Sequence, residues 1–287
     1  MERCYGFAGM KFRVIGHSED MYCEDGVLAS FLVDTDCVDH SLSLEVVDTL
    51  PVPEGEEIFA RGQIRVFRYG NEELVYIGSV TESAEGAYMQ IRRSSNISYV
   101  KVLRKEIPAG ITPRLVLNAL QTEHHILERN GFLLHASFIR WKDRAILFTA
   151  PSGTGKSTQA ELWRKLRNAE IINGDRVAVT QDASGITAWG IPYCGTSGIC
   201  QNTQLPLAAI VYLSQASETS ICRLSGVRAF RHIWEGCSVN LWNENDVDRC
   251  VEAVMTVANQ VPVYYLACTP DETAVEALER MLEKGEA

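Results

Sequence analysis

Long apolar runs are missing from this chain. No stretch approaches the ~20 residues that span a bilayer, so no membrane partner is expected. Positive charge is also in short supply: 27 Lys and Arg stand against 37 Asp and Glu, a net charge of −10. A nucleic-acid surface needs a local basic excess, and here the balance runs the other way. The short basic stretches, Arg92-Arg93 and Lys101 to Lys105, read as solvated strand faces. The nine cysteines are odd in number, scattered, and form no C-x-x-C. That pattern fits reduced thiols rather than a disulfide framework or a zinc site. No apolar core follows the opening Met-Glu-Arg-Cys-Tyr-Gly, so no signal peptide is read there and a cytoplasmic location is expected. Low-complexity tracts are lacking. At 287 residues, 46% hydrophobic and 22% charged, the chain has the composition of a globular protein with material for two domains.

The two parts differ in pattern. Up to residue 110 the chain reads as a β-rich accessory or recognition domain. Strand-length segments run over Val27 to Val33, Gln63 to Arg68, Glu73 to Val80 and Ala87 to Arg92. Residues 111–129 read as a helix with Thr112 as N-cap, Pro113 in its first turn and Asn130-Gly131 at its end. From there to residue 287 strands and helices alternate, which predicts a mixed α/β domain around a central sheet. Strands are expected over Phe132 to Arg140, Ala145 to Thr149, Ala169 to Asn173, Leu207 to Leu213 and Val263 to Ala267. A hairpin is expected around Ala183-Ser184-Gly185, and helices near 159–166, 225–236, 245–259 and 271–284.

The chemistry concentrates at residues 150–158, Ala-Pro-Ser-Gly-Thr-Gly-Lys-Ser-Thr. This is a phosphate-binding-loop pattern with Ala150 at the position that only starts the turn. Gly153 and Gly155 let backbone N–H groups converge on phosphate oxygens without a Cβ in the way. Together with Ser152, Thr154 and Thr158 they form the expected nucleotide cradle. Lys156 supplies a point charge for the outer phosphates, and the Ser157 hydroxyl suits Mg²⁺. The helix that follows aims its N-terminal dipole at the same anion. A buried strand before the loop and a helix after it are the context that this chemistry requires.

Asp175 ends the strand after that helix. A carboxylate there can hold Mg²⁺ or accept a proton from an attacking hydroxyl; the plain alternative is a turn residue before a hairpin. His135 lies in an apolar strand, where a histidine is usually a satisfied core residue. His124-His125 on the preceding helix fits no metal spacing and reads as surface. Asp182-Ala183-Ser184-Gly185 matches the D-x-x-G of GTPases, but no N-K-x-D accompanies it, so a turn explains it better. The 190–200 loop carries Thr196 and Ser197 as candidate phosphate or acceptor contacts and Cys194 as a candidate nucleophile, against a plain structural turn. Arg228, Arg231 and His232 share a helix face, solvated or presented to an anion.

Leu134-His135-Ala136, Ala150 to Thr158 and Asn173-Gly174-Asp175-Arg176-Val177 together resemble the HPr kinase/phosphorylase family, whose catalytic domain shares the phosphoenolpyruvate carboxykinase fold. The resemblance covers Leu133 to Val177. It implies an HPr-kinase-like mixed-sheet domain over 111–287 and an ATP- and Mg²⁺-dependent kinase. The acceptor would be a hydroxyl, typically Ser, of a protein, peptide or small molecule. It makes Lys156 a catalytic phosphate ligand, Ser157 a Mg²⁺ ligand, Asp175 a metal ligand or catalytic base, and His135 a catalytic group or a support for one. The family usually has two adjacent acidic residues where this chain has Gly174-Asp175, and the family's downstream signature segment is not found. A non-catalytic nucleotide sensor and an ATP hydrolase are the rival readings. Homo-oligomer formation stays open.

Overall fold

A computed structural model describes residues 2–17, 26–70, 72–78, 87–107 and 111–285. The chain divides into two compact units, Met1–Thr122 and Glu123–Ala287.

The first unit is a sheet of eight described strands: β1 (Glu2–Phe7), β2 (Met10–Gly16), β3 (His40–Val47), β4 (Glu56–Arg61), β5 (Ile64–Tyr69), β6 (Glu72–Gly78), β7 (Ala87–Arg93) and β8 (Ile97–Leu103). Their order is β1-β2-β3-β8-β7-β6-β5-β4. β3 runs parallel to both neighbours, and the other pairings are antiparallel. Strand periodicity builds the core: β2 buries Met10, Phe12 and Val14 and turns Lys11 outward. Phe7 packs on Phe12 at 5.1 Å and edge-on against Phe31 at 6.0 Å.

Three expectations change here. Val27 to Val33 is not a strand: Gly26–Phe31 is a 3₁₀ turn burying Leu28 and Phe31, a spacing of three that fits its period. The segment expected over Glu73 to Val80 is strand as far as Gly78, and its last two residues lie outside the described ones, as does Cys23. The helix over 111–129 is two helices. In α1 (Pro113–Leu120) the Thr112 hydroxyl accepts from the Leu115 N–H at 3.4 Å. Gln121 then takes a left-handed φ of 50° and ends it, before α2 (Thr122–Leu127). The basic stretches are neutralised side by side: Arg92 with Glu72 at 3.7 Å, Lys101 with Glu45 at 4.0 Å, Arg104 with Asp48 at 3.0 Å.

The second unit is mixed α/β. Its strands are β9 (Gly131–Trp141), β10 (Arg144–Thr149), β11 (Glu170–Asn173), β12 (Arg176–Asp182), β13 (Gly185–Gly190), β14 (Gln204–Gln215), β15 (Ser220–Leu224), β16 (Cys237–Ser238) and β17 (Val263–Cys268). Its helices are α3 (Lys156–Arg167), α4 (Gly226–Trp234), α5 (Glu244–Gln260) and α6 (Glu272–Gly285). β10, β14 and β17 run parallel, and β9 is antiparallel to β10, β11, β12 and β16. β9 and β14 are long enough to serve four and three partners respectively along their length.

Alternation along the strands separates two cores. Ala145 and Leu147 of β10 join Phe132, Leu134 and Ala136 of β9 against α4 and α5. Ile146 and Phe148 face the other way, onto Trp163 of α3 and Val275 and Leu278 of α6. Trp163 is wholly buried, edge-on to Trp141 at 5.1 Å. His135 lies between Leu134 and Ala136, so its side chain belongs to the face that carries α3. Among the described residues no helix is long and apolar enough to cross a membrane.

Candidate functional site

The site forms where β10 leaves the sheet. Ala150 is buried and the backbone then turns through Pro151 to Gly155, with Thr154 N–H donating to the Pro151 carbonyl at 3.3 Å. Gly153 and Gly155 hold φ of 79° and 117°, and the space a Cβ would take at each is open. Those are left-handed conformations that favour glycine. α3 starts at Lys156, three residues before the helix expected near 159–166. The Lys156 side chain is buried and folds back so that Nζ donates to the carbonyls of Ala150 at 3.0 Å and Pro151 at 3.4 Å. Burial pulls its pKa below the usual lysine range, and the charge of Asp175 works against that pull. Ser152, Ser157 and Thr158 are exposed along the same turn.

Asp175 is held to β9 by its own carbonyl, which accepts from Ala136 N–H at 3.0 Å. Its Oδ1 lies 3.4 Å from His135 Nε2. The hydrogen bond from His135 is the largest influence holding the Asp175 carboxyl below its usual range; burial opposes it, and the charges of Arg176, His135 and Lys156 assist. The structure thus brings together His135, Lys156 and Asp175 on one face. Two backbone ties fix His135: its N–H donates to Gly236 at 2.8 Å, and its carbonyl accepts from the Thr149 hydroxyl at 3.0 Å.

Asn173 organises the turn into Asp175. Its Oδ1 accepts from the N–H groups of Asp175 at 2.9 Å and Arg176 at 3.1 Å, and its Nδ2 donates to the Ile191 carbonyl at 2.6 Å. The 190–200 loop closes over this strand end. A Cβ on Gly174 would sit 2.0 Å from Ser197 Oγ and 2.7 Å from Ser197 Cβ. Where the resemblance leads one to expect a second carboxylate, Ser197 already fills the volume. Gly195 presses on Asp175 in the same way, with φ of 55°. The Ser197 hydroxyl donates to the Cys194 carbonyl at 2.6 Å and accepts from Ile199 N–H at 3.2 Å. Its hydrogen bonds belong to the loop, unlike the free phosphate contact read from the sequence. Cys194 lies near another thiol, Cys200, whose pKa is pushed up to about 11 chiefly by burial and then by that neighbour.

A family model described as SynChlorMet cassette protein ScmC matches residues 114–283, more than half of the chain. The chain belongs to the ScmC family. No curated protein matches it. Among solved structures it is similar to the HPr(Ser) kinase/phosphatase from Coxiella burnetii, at 10% identity and a TM-score of 0.32, over 54% of this chain and 99% of that one.

In this ScmC-family chain several expected sites resolve differently. His124-His125 is not a surface pair. His125 is buried, and His124 Nδ1 sits 2.8 Å from Asp246 Oδ1, whose carboxylate is 1% exposed and also accepts from Asn240 at 3.0 Å. The Arg228, Arg231 and His232 face splits up. Arg228 is exposed, Arg231 pairs with Glu235 at 2.9 Å, and the His232 ring lies tilted against Tyr212 with centroids 4.1 Å apart. Asp182, by contrast, sits in the turn expected there, accepting from Ser184 N–H at 2.7 Å. Sequence reasoning missed Gln215, whose amide reaches the carbonyls of Gly153 and Thr154 at 3.5 Å from the end of β14. It also missed Ser238 of β16, which accepts from Arg176 at 3.1 Å. Neither lies in a local motif; each arrives by strand topology. Among the described residues no three His, Cys, Asp or Glu side chains converge as a metal site.

Proposed function

We propose that this chain is a Mg-ATP-dependent kinase whose acceptor is a hydroxyl, that of a Ser in a protein or peptide or that of a small molecule.

 The observation that carries this reading is the glycine turn that opens α3, with Lys156 Nζ folded onto its carbonyls, in the same unit as the Asp175 carboxylate 3.4 Å from His135. In the reaction the γ-phosphoryl group would pass from the β-phosphate oxygen of ATP to the acceptor oxygen, leaving ADP. Lys156 would exchange its loop carbonyls for phosphate oxygens. The backbone N–H groups of 152–158 would surround the same charge. Asp175, kept ionised by His135, would orient the acceptor hydroxyl and take its proton as the new P–O bond forms. Ser157 and Asp175 are the side chains that would hold Mg²⁺. Few protein ligands are needed, because Mg²⁺ at such sites keeps waters and substrate phosphates, and when bound it would neutralise phosphate charge. Catalysis would consist mostly of positioning and electrostatics.

A second reading, a nucleotide sensor, is favoured by one feature. Ser197 occupies the volume beside Gly174 that a second carboxylate would need. Incubation with γ-labelled ATP and an extract of the source cell separates the readings. A kinase labels an acceptor, a hydrolase releases phosphate alone, and a sensor leaves ATP intact. Lys156→Ala is expected to abolish nucleotide binding or turnover; unchanged affinity and turnover in that variant would refute the nucleotide reading.

A further inference from the structure

Arg176 differs from four other arginines of the second unit in how its charge is met. Arg140, Arg164, Arg167 and Arg231 each lie within hydrogen-bonding distance of a carboxylate, at 2.9, 2.7, 2.8 and 2.9 Å. Arg176 has no such close partner among the described residues. Its Nε is 3.8 Å from Asp175 Oδ2, an attraction beyond hydrogen-bond length. Its Nη1 donates to the Ser238 hydroxyl at 3.1 Å, and its guanidinium lies over the Tyr193 ring at 5.3 Å. The group is therefore steered from three sides. Yet only one of its five N–H donors has a hydrogen bond to a described residue, and the side chain is 37% exposed.

Its placement follows from register. Arg176 is the cross-strand partner of His135 in the antiparallel pair of β12 and β9, so the two side chains share a face. That face carries α3 and the glycine turn. Lys156, His135 and Arg176 are thus all near enough to Asp175, the carboxylate that would orient the acceptor, for their charges to act on it. A guanidinium presents its donors in a planar fork matched to phosphate oxygens. Charge on the equatorial oxygens of a transferring phosphoryl group is what an arginine supplied from within the same chain can stabilise.

We propose that Arg176 contacts the phosphoryl group in transit, serving as this site's own arginine donor opposite Lys156. The proposal rests on the nucleotide-binding reading above. Ser238 and Tyr193 hold the guanidinium in place, and the donors left over take the phosphoryl oxygens.

The test needs no knowledge of the acceptor. Mg·ADP with aluminium fluoride mimics the planar phosphoryl group, and its affinity is compared with that of Mg·ADP alone by calorimetry. In the wild-type chain aluminium fluoride is expected to tighten ADP binding. In Arg176→Gln the ADP affinity should stay within about threefold, while the tightening falls about tenfold or more. Arg176→Lys should recover part of it, having the charge without the fork. Tightening that survives in Arg176→Gln overturns the assignment of Arg176 alone. Absence of Mg·ADP binding by the wild-type chain overturns the nucleotide reading and this inference with it.

Discussion

Replacing Gly174 by Ala puts the roof over the strand end to a direct test. The new Cβ would lie 2.0 Å from Ser197 Oγ and 2.7 Å from Ser197 Cβ, and 3.6 Å from the Cys194 carbonyl oxygen. Only the last is an ordinary contact. Ser197 cannot rotate away without giving up its bonds to Cys194 and Ile199. Overpacking of this kind costs about 1–3 kcal/mol. Ser197→Gly removes both clashing atoms and costs about 1–2 kcal/mol through the two lost hydrogen bonds. The double variant should then be less destabilised than the sum of the singles by about 1 kcal/mol or more. All five tryptophans, Trp141, Trp163, Trp189, Trp234 and Trp242, lie in the second unit, so tryptophan fluorescence during urea unfolding reports on that unit. The Gly174→Ala midpoint should drop by roughly 1 M urea. A drop too small to measure, or strict additivity in the double variant, would refute the steric reasoning.

Two further outcomes concern the histidine cluster. Asp246→Ala should destabilise the second unit by about 3 kcal/mol, because it strands His124 and Asn240 around a buried site; a loss below 1 kcal/mol in urea unfolding would contradict that account. The Glu128 carboxyl is lowered from 4.5 to about 2, chiefly by its hydrogen bond from His125 and then by the charges of His124, His125 and Arg249. A carboxyl depressed on folding stabilises above its unfolded pKa and loses that contribution as pH falls through the folded value. The gap between wild type and Glu128→Gln should therefore open from pH about 2 to about 4.5, reaching about 1 kcal/mol after screening at this half-exposed position. A gap independent of pH between 3 and 6 would count against it.

What could be read in advance depended on how local the signal was. The strands from Phe132 to Thr149, the glycine turn and the hairpin at 176–190 carry apolar runs and turn residues within a few positions of each other, and the structure has elements there. β3 and β8 were missed although Leu42, Leu44, Val100 and Val102 alternate with polar residues, because a two-residue period with Ser and Lys between is a weak signal. Val27 to Val33 misled for the opposite reason: its apolar density hid a three-residue period. The break at Gln121 has neither Gly nor Pro to announce it. At the site, the motif residues His135, Lys156 and Asp175 could be singled out from their neighbours in sequence. Ser197 could be singled out too, but not its packing over Gly174; Gln215 and Ser238 could not, since each reaches the site only through strand order.

The fit of Ser197 over Gly174 also bears on descent. A carboxylate at 174 cannot be gained or lost by one substitution while the residue at 197 stays a serine, since one atom of space has a single tenant. The two positions must change together, or pass through a less stable intermediate. Across relatives of this chain an acidic residue at 174 should be accompanied by a glycine at 197 or a rebuilt 194–198 loop. The pair of positions would then mark, in sequence alone, which branch carries one carboxylate at the strand end and which carries two.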